Sequence, residues 1–79
     1  MERTFTIVLE PDAKTGVFTA LVPAIPGVVS EGDTVEEAMA NVREAIELTL
    51  EDLTAHGEPL PDSDVDAVVQ QVRVSIPAA

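Results

Sequence analysis

Polar and apolar residues alternate from the start of the chain. Across residues 4–10, Phe5, Ile7 and Leu9 fall on one side and Thr4, Thr6 and Val8 on the other, which predicts a strand. Residues 11–16, Pro-Asp-Ala-Lys-Thr-Gly, break that pattern with a proline that cannot continue a central ladder and a glycine free to take positive φ. A second strand is predicted over 17–22, making a hairpin. Pro23-Ala24-Ile25-Pro26-Gly27 then removes two backbone donors within four residues and predicts a kinked or bulged corner. Residues 28–31 read as a short third strand, antiparallel to the second.

At Thr34 the period changes from two to 3.6. Val35, Ala38, Met39, Val42, Ala45, Ile46, Thr49, Leu50 and Leu53 recur at three- and four-residue steps and form one apolar stripe. Thr34 stands three residues before Glu37, the spacing of a capping box, in which each side chain satisfies the other residue's amide. The spacing predicts a helix over 35–56, with Gly57 as its stop and Pro59 preventing resumption. Residues 57–66 are a polar loop. Alternation resumes at 67–76, with Val68, Val72, Val74 and Ile76 on one face and Gln71, Arg73 and Ser75 opposite, which predicts a last strand. The expected fold is a single α+β domain over 1–79 in the order β-β-β-α-β. A small mixed sheet carries the helix on one face, and the third and fourth strands run parallel through a right-handed crossover.

Composition narrows the function. A chain of 79 residues without cysteine has a small core and no covalent staple, so self-association as a dimer or tetramer is expected. Fifteen acidic residues against four basic ones give a net charge of -11. Arg3, Lys14, Arg43 and Arg73 are scattered, whereas nucleic-acid binding needs clustered cations. The isolated chain is therefore not expected to bind nucleic acid. An acidic surface suits a basic partner; it also simply keeps a protein soluble. No run approaches the ~18 apolar residues of a membrane helix, and the first residues do not form a signal peptide. A cytoplasmic protein is expected.

Little in the chain points to catalysis. The one histidine, His56, lies near the predicted helix C-terminus, where the dipole favours it. Ser30, Ser63 and Ser75 have no histidine in a recognisable elbow. Asp62, Asp64 and Asp66 resemble the start of an EF-hand loop, but Ala67 stands where glycine is needed and Arg73 where a bidentate glutamate is needed. Gly27 and Gly32 form no phosphate cradle. Glu31, Asp33, Glu36 and Glu37 crowd the helix start, where the dipole alone stabilises acids. No metal, cofactor or enzymatic activity is expected.

Phe-Thr-Ala-Leu-Val-Pro-Ala-Ile-Pro-Gly (18–27), Gly-Asp-Thr-Val-Glu-Glu-Ala (32–38) and Gly-Glu-Pro-Leu-Pro (57–61) together resemble the HicB antitoxin family over nearly the whole chain. Two positions depart from its usual pattern: Ala24 where aspartate is common and Val28 where cysteine is common. The resemblance implies a degraded ribonuclease-H-like fold and the neutralisation, by direct binding, of a small basic ribonuclease toxin, HicA. Many members carry a C-terminal DNA-binding segment; nothing of that kind follows the last predicted strand, so no operator binding is expected. A surviving ribonuclease-H enzyme would need carboxylates converging on central strands, and the strands offer only Glu10 and Glu31, at strand ends. Glu31, Asp33, Glu36 and Glu37, beside the Pro-Gly corner, are the candidate partner contacts. An oligomeric interaction domain with no toxin partner is the alternative.

Overall fold

In the computed structural model, which describes residues 1–77, three strands and one helix form: β1 (Val8–Pro11), β2 (Phe18–Leu21), β3 (Val29–Gly32) and α1 (Val35–Ala55). The sheet order is β1-β2-β3 and both pairings are antiparallel. Val8 pairs with Leu21 and Leu21 with Val29; Glu10 pairs with Thr19 and Thr19 with Glu31.

The hairpin between β1 and β2 is closed locally. The Asp12 carboxylate accepts from the amides of Lys14 (2.8 Å) and Thr15 (3.3 Å), and Gly16 turns the chain at φ +75°. The Pro-Gly corner between β2 and β3 is held by two short bonds, Ile25 N–H to the Val22 carbonyl and Val28 N–H to the Ile25 carbonyl. Between them Ile25 points into the core at 8% exposure, so the corner is pinned despite its missing donors.

α1 begins where the capping spacing predicts. The Thr34 hydroxyl accepts from the Glu37 N–H at 3.0 Å. The return bond of a full capping box, from the Thr34 N–H to the Glu37 carboxylate, is not made. At the other end Gly57 takes φ +66°. The Glu58 amide bonds the Leu53 carbonyl and the Gly57 amide bonds the Thr54 carbonyl, a Schellman stop. His56 follows the last helical residue, its Nδ1 2.8 Å from the Asp52 carbonyl oxygen and 3.3 Å from the Asp52 carboxylate.

The core is small: Ala20, Val22, Ile25, Ala38 and Val42 are buried, and Phe5, Ile7, Leu9, Phe18, Ala24, Val28 and Ile46 pack around them. All of it lies between α1 and one face of the sheet. The helix sits over β3 and β2. Gly32 makes the closest approach possible, since a Cβ there would overlap the Ala38 amide nitrogen.

The α+β class holds, but the fifth element differs from expectation. Residues 67–76 form no strand, and the sheet is antiparallel throughout instead of mixed. The cause lies at Asp64. Its N–H donates to the Thr4 carbonyl (3.1 Å) and its carboxylate accepts from the Thr6 N–H (2.6 Å), so the chain comes alongside the approach to β1. The Ala67 N–H then bonds the Asp64 carbonyl (2.9 Å), and this turn carries the chain away from the sheet. β1 is correspondingly shorter than the predicted 4–10, because the Thr4 and Thr6 amides are taken by Ser63 and Asp64. Among the described residues no helix is long and apolar enough to cross a membrane.

Candidate partner interface

The β3–α1 junction sets the position of the acidic group. Glu31 is on the outer face of β3, the face without the helix, because its register partner Thr19 alternates with the buried Ala20. Gly32, one residue on, faces inward against the first turn of α1. That contact places Asp33 and Thr34 directly between the strand end and the helix start, with Glu36 and Glu37 in the first turn. The four predicted carboxylates are thus gathered at one corner of the molecule. All four residues are exposed, and none is engaged in a salt bridge among the described residues. Acids here are favoured by the helix dipole, and no basic residue within the last turn balances the other end. No group of three or more His, Cys, Asp or Glu is arranged to hold a metal ion among the described residues.

The register adds residues that alternation along single strands did not. On the outer face Val8, Leu21 and Val29 line up in one row across the three strands, and Glu10, Thr19 and Glu31 form the next. Val29 is 54% exposed, and a shallow depression of about 620 Å³ lies over this row, bordered by Pro23 and Pro26 of the corner. An apolar strip therefore runs beside two carboxylates, Glu10 and Glu31. The strand alternation already places Val8 opposite Ile7 and Leu9, but only cross-strand pairing shows that Leu21 and Val29 extend it. An apolar centre with a charged rim is the anatomy of a protein–protein contact. Glu10 and Glu31 are separated by a whole strand, about 10 Å at the usual strand spacing.

Comparison with known proteins finds a matching family and several relatives. The model of the HicB-like antitoxin of the bacterial toxin-antitoxin system matches residues 5–76. A UPF0150 protein of Synechocystis is 43% identical over 61 residues, covering 77% of this chain and 76% of its own. A UPF0150 protein of Thermoplasma acidophilum is 33% identical over 64 residues, covering 81% of this chain and 91% of its own. An uncharacterised 14.9 kDa protein of Haemophilus phage HP1 is 43% identical over 47 residues, 60% of this chain and 35% of the phage protein.

Proposed function

This chain belongs to the HicB-like antitoxin family, and from that membership we propose that it binds and silences a small basic ribonuclease toxin of the HicA kind. Membership itself supports an antitoxin role; the toxin's identity and the mode of silencing are the proposal. The observation that carries it is the family match over 5–76, taken with the exposed carboxylates around the β3–α1 junction. A ribonuclease surface must be basic to hold RNA phosphates. A domain of net charge -11 is drawn to that surface and can cover it, excluding RNA without chemistry of its own. In this reading the chain is no enzyme, needs no cofactor and works in the cytoplasm. Glu31, Asp33, Glu36 and Glu37, with Glu10, supply the rim, and Val8, Leu21 and Val29 supply the apolar centre.

Rim charges act mainly on encounter rate and apolar contacts on lifetime. Glu36→Lys with Glu37→Lys is expected to slow association and flatten its salt dependence, while Val29→Asp speeds dissociation. The test is co-expression with whatever small basic protein is encoded beside this gene, followed by co-purification and surface plasmon resonance; absence of such a neighbour counts against the reading. A complex that relieves growth arrest by that protein supports the reading; no complex, or a neighbour without ribonuclease activity, removes it. If the charge reversal lowers stability and leaves association rates untouched, the acids serve the helix alone. The second reading, an oligomeric interaction domain without a toxin, is favoured by the exposed apolar residues after Asp64.

A further inference from the structure

The two edges of the sheet are unlike. At β3 the Asn41 side-chain amide donates to the Glu31 carbonyl at 2.8 Å, and α1 packs over β3 and β2. On the β1 side the helix leaves a groove of about 580 Å³ against the N-terminal segment, with Phe5, Ile7, Met39, Val42, Ile46 and Leu50 among its walls. An added strand beside β1 would set alternate side chains into this groove, as the period of a strand requires.

The chain carries a segment with that pattern and no place of its own. Val68, Val69, Val72, Val74 and Ile76 are between 69% and 88% exposed. The Asp64 N–H bonds the Thr4 carbonyl and the Asp64 carboxylate takes the Thr6 N–H, and the turn to Ala67 then directs the segment away. We propose that residues 68–76 form the fourth strand on the β1 edge of a second copy, reciprocally, so that the protein is a strand-exchanged dimer.

Three observations select a second copy as the occupant. The radius of gyration is 15.5 Å, against about 12 Å for a compact domain of this length; the long axis reaches 53 Å, while α1 accounts for only about 32 Å of it. The segment therefore projects to where another molecule can take it. Charge agrees: all fifteen acidic residues precede Ala67, and the one charged side chain of the segment is Arg73. It is the part of the chain that an acidic body accepts most readily. Finally, an exposed edge and an unpaired β-branched segment in the same molecule satisfy each other's backbone groups on exchange.

Exchange requires no toxin, so it is tested on the full chain alone. Light scattering at micromolar concentration, in salt sufficient to screen the charge, is expected to give twice the 8.3 kDa chain mass. Val72→Asp with Val74→Asp places two carboxylates in the interface at about tenfold or more each, so the dimer dissociation constant is expected to rise at least about a hundredfold. The helical circular dichroism stays unchanged, because neither residue belongs to the core cluster. A mass of 8.3 kDa at every concentration overturns the proposal. So does a dimer that the double variant leaves intact, since the subunits would then meet elsewhere. A monomer that the double variant destabilises independently of concentration means that the segment closes on its own sheet, which also overturns exchange.

Discussion

Replacing Gly32 with alanine probes the junction on which the acidic corner depends. The added Cβ would overlap the Ala38 amide nitrogen and stand 2.8 Å from the Glu37 carbonyl carbon and 2.9 Å from the Ala38 Cα. Carbon atoms pack comfortably at ~3.5–4.0 Å, so the first turn of α1 must retreat by roughly 1 Å. Every opposing atom is backbone, and no rotamer change relieves the contact. Overpacking of this kind costs ~1–3 kcal/mol, while the stiffer unfolded chain of a Gly→Ala change returns ~0.4–1 kcal/mol. The clash wins, leaving a net loss of about 1–2 kcal/mol. For a domain of this size each kcal/mol moves Tm by ~4–8 °C, so a fall of about 5–15 °C is expected in a melt followed by helical circular dichroism. Retreat of the helix also moves Asp33, Glu36 and Glu37 relative to Glu31, so association with the proposed partner is expected to slow in the same variant. A midpoint equal to or above that of the parent chain would refute the close-packing account of Gly32.

Thr34→Ala removes the acceptor for the Glu37 amide and is expected to cost ~1 kcal/mol in urea denaturation; an unchanged midpoint contradicts the cap. Val42, the largest fully buried side chain at 1% exposure, is expected to cost about 2 kcal/mol when truncated to alanine, from lost methyl burial plus a cavity. A loss below ~0.5 kcal/mol, the ordinary scale of surface changes, would place the core elsewhere. The isolated chain is expected to leave double-stranded DNA unshifted in a gel at physiological salt, and a sequence-specific band would contradict that.

The helix was the most legible part of the sequence. Thr34, the 3.6-residue stripe and Gly57 each act within a few residues of themselves, so local chemistry fixed both ends to within one residue of the predicted span. The hairpin and the Pro-Gly corner were legible for the same reason. Alternation in residues 67–76 marks a strand that the structure does not form, because alternation carries no information on the edge a strand must pair with. At Asp64 the carboxylate and carbonyl bonds turn the chain, a role indistinguishable in the sequence from that of any acidic loop residue. The acidic corner was readable because its members are neighbours along the chain. The Val8–Leu21–Val29 row was not, since it depends on two registers fixed only when the hairpin and the corner are built.

The Asn41 amide at the rim of β3 bears on how far association can run. A flat sheet with two receptive rims can add neighbours on both sides without end, the geometry of a growing fibril. Asn41 occupies the Glu31 carbonyl, and the helix stands over the same strand. The β3 rim is thereby less receptive than the β1 rim. A side chain ten residues beyond its bonding partner in sequence thus occupies one acceptor of that rim, leaving an incoming strand one hydrogen bond fewer on the β3 side.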